Sequence, residues 1–264
     1  MNIHLLLAGV ADIRYPLHAI AVADVDRLEE TGHTRRILSP YDESALELAL
    51  KLRDSEPDLR LVVHLLSGPN DERLLQTVAA HKPDHLEALA LLPCAPWDAC
   101  LTACQLASAL QAELDDHSLL LVGREFGDLD GGNLPAALAV QMGLPLLSRV
   151  QYLRWDSDGR CWSLRERGTQ EEWTLVETPC LVSVSNDKRS KLRHPLMKNV
   201  MLARKASYAS RRVQISRAAG LQLGSLQIPA ERQRGDHCTL LTGDVSQQVE
   251  SLRACLVGSG ADVP

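Results

Sequence analysis

The stretch Gly123-Arg124-Glu125-Phe126-Gly127-Asp128-Leu129-Asp130-Gly131-Gly132-Asn133 offers the most chemistry in this 264-residue chain. It follows an aliphatic run, Ser118 to Val122, and leads into a helix-forming segment from Leu134 to Met142. Strand, Gly-rich loop and helix in that order cradle phosphates, because glycines let the backbone approach a ligand and amides at a helix N-terminus face the anion. The loop lacks the GK[ST] of a triphosphate site and the GxGxxG spacing of a dinucleotide fingerprint. Asp128 and Asp130 have the chemistry of a general acid and base. Their place in a Gly-rich loop before a helix reads instead as loop shaping, with the carboxylates capping backbone amides or meeting a ribose or adenine edge.

Other reactive residues point to less. Cys100 and Cys104 lie four apart and Cys94 precedes them, but no CxxC pair or matching second pair exists, so no metal is expected there. His64, between Val63 and Leu65, reads as a satisfied core histidine without a ligand partner nearby. From Lys188 to Arg217 there are ten Lys or Arg and no Asp or Glu, which leaves −16 on the rest of a chain whose net charge is −6. Such a block either docks an anionic ligand or partner, or is a solvated helix face. It holds one aromatic, Tyr208, too little to stack or read bases, so nucleic acid is not expected as a partner. No nucleophile with a supporting base stands out, and bond-making catalysis is not expected.

The elements that must position these residues read as α/β. Hydrophobic residues make up 45% and charged residues 23%, and Phe, Trp and Tyr total nine, so the core is aliphatic. Ile3 to Ala8 is an apolar run closed by Gly9, as in a parallel strand buried on both faces. Ser39 is an N-cap, Pro40 suits a first helical turn, and Asp42 and Glu43 complement the helix dipole. A strand at Leu59 to Leu66, a helix from about Asp71 to Ala80, an apolar run at Leu86 to Leu92 and a helix across Trp97 to Leu114 continue the βαβ rhythm. Alternation from Ser148 to Val176 around Asp156-Ser157-Asp158-Gly159 predicts antiparallel strands added to the parallel sheet. Leu181 to Val184 is a further strand, Leu196 to Lys205 is helical, and Asp244 to Cys255 is a final amphipathic helix. No apolar run approaches eighteen residues, and the N-terminus lacks a basic start and a long apolar stretch, so a cytoplasmic protein without membrane insertion is expected.

Four of these stretches together resemble the β subunit of electron transfer flavoproteins. They are the opening strand with Val10-Ala11-Asp12, the segment Ser39-Pro40-Tyr41-Asp42-Glu43-Ser44-Ala45, the loop Gly123 to Gly132 followed by Asn133, and Leu181 to Ala203 with Asn199-Val200-Met201. Order, spacing and the 150–176 hairpins agree over nearly the whole chain. Departures are specific: Ala8-Gly9 stands where the family has a Lys, Arg124-Glu125 replaces Lys-Gln, and in the recognition loop only Arg193 aligns cleanly.

The resemblance implies an electron carrier subunit rather than an enzyme. Its partners would be an electron transfer flavoprotein α subunit, dehydrogenase donors, and a membrane-bound quinone oxidoreductase or other acceptor. FAD would lie mainly on the α subunit and a structural AMP on this chain. AMP would contact Leu6, Ser39, Pro40, Tyr41, Asp42, Ser67, Gly123, Asp128, Asp130, Gly131, Gly132, Asn133 and Leu134, its phosphate on the amides of 131 to 134. Partner recognition would fall to Asn186, Lys188, Arg189, Lys191, Leu192, Arg193 and His194, with four cations facing an acidic patch and Leu192 as the apolar anchor. Residues 1–217 would form the nucleotide-binding domain and 218–264 an arm packed on the partner. The alternatives are a stand-alone adenine-nucleotide-binding protein of the universal-stress type, and a second FAD in place of AMP.

Overall fold

The computed structural model describes residues 1–14, 20–24, 27–30, 35–56, 58–66, 71–92, 96–216, 220–221 and 240–258. The chain divides into two compact units, Met1–Gly224 and Ser225–Pro264. In the second, the described element is the helix α6 (Val245–Gly258).

The first unit is α/β. Its elements run β1 (Asn2–Leu7), β2 (Val10–Ala11), β3 (Ile20–Asp24), β4 (Arg27–Glu30), β5 (Arg36–Ile37), α1 (Pro40–Ser55), β6 (Arg60–Leu66), α2 (Glu72–Ala79), β7 (His85–Leu92) and α3 (Ala99–Leu110). After these come β8 (Ser118–Gly123), α4 (Leu134–Met142), β9 (Leu146–Val150), β10 (Tyr152–Trp155), β11 (Cys161–Arg167), β12 (Gln170–Leu175), β13 (Cys180–Val184), α5 (Met197–Ala203) and β14 (Ala209–Gln214). Seven strands form one sheet in the order β14-β7-β6-β1-β8-β13-β9, every neighbouring pair parallel. From β1 the chain steps outward through β6 and β7, then returns to the other side of β1 with β8. That reversal places a crevice at the carboxyl ends of β1 and β8, where open α/β sheets bind ligands.

Both faces of the sheet are covered, which is why its strands are apolar without alternation. Ile3, Leu5 and Leu7 pack with α1 residues such as Leu46, Ala49 and Leu52 and with Leu74 and Val78 of α2. Leu6, Leu120 and Val122 pack against Leu106 and Leu110 of α3 and Leu138 of α4. Side chains so enclosed contribute about 1.5–3 kcal/mol each, and β1 alone supplies Ile3, Leu5, Leu6 and Leu7 at 0% exposure.

The strands after residue 148 depart from expectation. β9 joins the main sheet beside β13, whereas β10, β11 and β12 form a separate three-stranded antiparallel sheet. Alternation gives a strand its two faces but not its neighbour, so the pattern was read correctly and its sheet was not. Within the basic block, β14 adds a parallel edge strand beside β7, carrying Arg211 and Arg212. Among the described residues no helix is long and apolar enough to cross a membrane.

Candidate functional site

The crevice at the switch point gathers Gly9, the start of α1 and the 123–133 loop. Gly9 adopts φ +69°, and a Cβ there would lie 2.5 Å from Leu74 Cδ2 and 3.1 Å from the Ile37 carbonyl. Gly123 is confined less severely, since a Cβ would sit 3.0 Å from Tyr41 Cβ. The two glycines let β1 and β8 end close to the N-terminus of α1.

Asp42 is the hub of that junction. The Ser39 hydroxyl accepts from the Asp42 amide at 3.0 Å, and Asp42 Oδ2 accepts from the Ser39 amide at 3.2 Å, a capping box. The same oxygen accepts from the Gly9 amide at 3.1 Å, tying α1 to β1. Oδ1 is buried without a full hydrogen bond in the structure, the Ala8 amide lending only a weaker pull. Burial dominates and pushes the Asp42 carboxyl up to about 6, against the amides that favour its charge.

The loop is held by its own aspartates. Asp128 Oδ1 accepts from the Ala11 amide at 2.9 Å. Asp130 accepts from the amides of Phe126 at 3.1 Å, Gly132 at 3.1 Å, Asn133 at 2.8 Å and Leu134 at 3.2 Å. The amides of 132 to 134, expected to receive a phosphate, therefore already serve an internal carboxylate at the N-terminus of α4. Both aspartates thus shape the loop by accepting its backbone amides.

Other expected contacts resolve separately. Leu6 and Leu134 are buried at 0% and 1% in the α3–α4 side of the core, with no side-chain surface to offer a ligand. Pro40 is exposed and Tyr41 half-buried beside the loop, with the Arg124 guanidinium 5.9 Å from the Tyr41 ring centre. Gly131 and Asn133 are exposed. Ser67 and Cys94 lie outside the described residues. Arg36, which sequence reasoning missed, reaches the Gly9 carbonyl at 2.9 Å and stands 3.7 Å from Asp128 and 3.9 Å from Asp71. Its only sequence signal was a cation shortly before the Ser-Pro helix start.

The recognition segment is differently built from expectation. Arg189 is held by Asp187 at 2.9 Å, Glu166 at 2.5 Å and Glu171 at 3.3 Å. Arg193 forks onto buried Glu47, with Nε at 3.0 Å and Nη2 at 2.9 Å, and also meets Asp54. Two of the four cations are thus engaged within the chain, leaving Lys188 and Lys191 exposed alongside Asn186 and His194. Leu192 packs on the chain's own core and is no free anchor. Instead Leu196, Met197, Met201 and Leu202 stand outward on and beside α5 at 49–75% exposure.

His64 is fully buried, as expected of a core histidine, but it is not alone. Its Nδ1 lies 2.6 Å from Glu87 Oε1, and its Nε2 lies 3.1 Å from Nδ1 of His4. Burial works against the Glu87 charge, yet hydrogen bonds from His64 and Arg211 outweigh it and hold that carboxyl below its usual range. Burial, with the adjacent His64, pushes His4 down to about 4. These residues lie on the α3 face of the sheet, His64 level with Leu6 and His4 two residues nearer the amino ends.

Comparison with known proteins gives a consistent result. Residues 30–214 match the family model described as the electron transfer flavoprotein domain. The chain is 31% identical over 178 residues to the electron transfer flavoprotein subunit beta of Mycobacterium tuberculosis, covering 64% of each chain. It is 27% identical over 175 residues to that of Syntrophomonas wolfei, covering 66% of this chain and 67% of the relative. It is also 25% identical over 147 residues to the caffeyl-CoA reductase-Etf complex subunit CarD of Acetobacterium woodii, covering 56% of this chain and 55% of that one. The chain thus spans between 55% and 67% of the length of these relatives.

Proposed function

The chain belongs to the electron transfer flavoprotein family, and from that premise we propose that it is the β-type subunit of a heterodimeric electron carrier, with an adenine nucleotide in the switch-point crevice. The observation that carries this reading is the convergence of Gly9, Ser39 to Asp42 and the 123–133 loop at the carboxyl ends of β1 and β8, largely inside the matched region. Asp42 is itself fully buried, so it would shape the crevice by holding the Gly9 and Ser39 amides rather than touch the nucleotide. Because Asp130 already fills the α4 amides, the phosphate of AMP would face Arg36 and Arg124, the cations bordering the loop. FAD would be supplied mainly by an α-type subunit, and this chain would act as scaffold and partner reader. Relatives bear names of subunits in larger electron-transfer complexes, which supports a partner subunit of the same kind.

The donor dehydrogenase would dock on the apolar face of α5 with Leu196, flanked by Lys188 and Lys191, and electrons would pass on to a quinone oxidoreductase or another acceptor. Exposed cations around an apolar anchor give fast, salt-sensitive encounter together with a buried contact. Co-expression with an α-type subunit tests the reading. A complex containing one flavin, reducible through a dehydrogenase, is expected, and the single chain should be colourless. A single chain that binds flavin stoichiometrically as a stable monomer would replace this reading with one in which FAD occupies the crevice.

A further inference from the structure

The α3 face of the sheet carries a second polar cluster, independent of the crevice. His4 on β1 and His64 on β6 are diagonal neighbours, since His4 pairs with Val62 and Leu6 with His64. Both are buried, at 3% and 0% exposure. Their rings are nearly parallel, with 8° between planes and centroids 5.4 Å apart. Together with the 3.1 Å nitrogen contact, this is an edge-to-edge, in-line arrangement in which the two lone-pair directions meet. Glu113, just beyond α3, brings Oε2 to 3.9 Å from His64 Nε2. One ligand atom from each of the three residues lies within 4.8 Å of the others.

We propose that His4, His64 and Glu113 form a binding site for a divalent transition metal of the Zn2+ class, open to solvent at a fourth position. Two imidazoles and one carboxylate, with a vacant position for water, are a set that zinc accepts outside closed structural sites. Bonds of about 2.0–2.1 Å would set the ligand atoms roughly 3.3–3.5 Å apart, so the nitrogens must separate slightly, Glu113 must close slightly, and both rings must turn so that lone pairs now aimed along the N···N line converge on the metal. The outer partners are already in place. His64 Nδ1 donates to Glu87, the carboxylate–histidine–metal pattern that fixes the tautomer with a lone pair on Nε2. Arg211 binds Glu87 at 2.5 Å and the other oxygen of Glu113 at 2.8 Å, orienting both carboxylates. The metal-free state is an N–H···N contact in which a proton stands between the two histidines. On metal binding His4 would carry its proton on Nε2 instead of Nδ1, and no proton need be released.

The surroundings bear on access. His4 Nε2 is buried with no hydrogen-bond partner in the structure, an unmet acceptor before binding and an unmet donor after it, so it favours neither state. His4 and Glu113 also line a groove of about 300 Å³ with Asn2, Arg60, Val62 and His85, which gives a metal a way in and a water a place to sit. Arg60 and Arg211 are the unfavourable charges there, and Glu113 and Glu87 balance them.

The test is a Co2+ titration of the full-length chain after treatment with a chelator, followed by Zn2+ competition. One Co2+ per chain is expected, with visible d–d absorption and no near-ultraviolet thiolate charge-transfer band, and Zn2+ should displace it. His4→Gln should weaken binding by at least about a hundredfold and Glu87→Gln by about ten- to a hundredfold. Glu113→Gln, in a half-exposed position where the fold is retained, should weaken it at least about tenfold, while His85→Gln should leave it unchanged. Absence of stoichiometric Co2+, a thiolate band that assigns the metal to cysteines, or undiminished affinity in Glu113→Gln would overturn the proposal.

Discussion

The two ends of one parallel sheet solve opposite electrostatic problems. At the carboxyl ends of β1 and β8, three aspartates accept backbone amides: Asp42 from Gly9 and Ser39, Asp128 from Ala11, and Asp130 from three residues of its own loop and the first of α4. On the α3 face, from mid-strand toward the amino ends, His4, His64 and Glu113 face one another through side chains alone. The first region is defined by backbone shape, so it depends on glycines and on helix starts. The second is defined by side-chain chemistry laid on regular strands, so its residues can change with less harm to the chain's path.

The largest effects should therefore come from the crevice backbone. Gly9→Val must adopt φ near +69° and meet both Leu74 and the Ile37 carbonyl, and should cost about 3 kcal/mol or more. Denaturant unfolding would show this as a lowered midpoint; a midpoint matching that of the wild type would mean that the two strand ends have more room than their geometry indicates. A valine at a helix-surface position such as Ala136 is the contrast, with a change of a few tenths of a kcal/mol.

Acid separates the two ends by sign. His4 is held down at about 4 against an ordinary 6.5, so its neutral form contributes stability above pH 6.5 that is lost as pH falls toward 4. Asp42 is raised from 3.8 to about 6, so its effect is most favourable below pH 3.8 and is lost as pH rises through 6. Each spans up to about 3 kcal/mol, and between pH 4 and 6 the two slopes oppose. Unfolding free energy measured against pH should fall more steeply on acidification in Asp42→Asn than in the wild type. In His4→Gln it should hold level or rise over the same range. Identical profiles in all three proteins would contradict the contrast.

Asp130→Ala should come next, at about 1–2 kcal/mol, because it removes an N-terminal acceptor from α4. Asp130→Asn, which keeps an acceptor oxygen, should cost less. Thermal unfolding of the pair would sharpen the view that the loop is anchored by its own anion. The smallest effect belongs to Lys188→Ala with Lys191→Ala, whose stability should stay within about 0.5 kcal/mol of wild type. Donor reduction in that variant should slow at low salt and converge with wild type at high salt. Salt-independent kinetics in both proteins would remove these lysines from docking.

Much of this architecture was legible because it rests on local rules. The apolar runs at 3–8, 59–66, 118–122 and 181–184 mark buried strands, and Ser39-Pro40 with Asp42 marks a helix start. What escaped depends on distant partners. Glu47 and Arg193 are 146 residues apart, so the basic segment reads as free charge although its Arg189, Arg193 and Arg211 are committed. β14 is an edge strand with polar outward positions, and its Ala209-Arg211-Val213 face carries little apolar signal. His4 and His64 become neighbours only through strand register, and Asp130 competes with a phosphate only once the loop has closed on it.

Occupancy of the switch-point crevice by an adenine nucleotide within an electron-transfer complex is tested by mass spectrometry of the small molecules released when the purified complex with an α-type subunit is denatured. One AMP and one FAD per complex is the predicted result. A complex that retains its flavin and releases no adenine mononucleotide would contradict it.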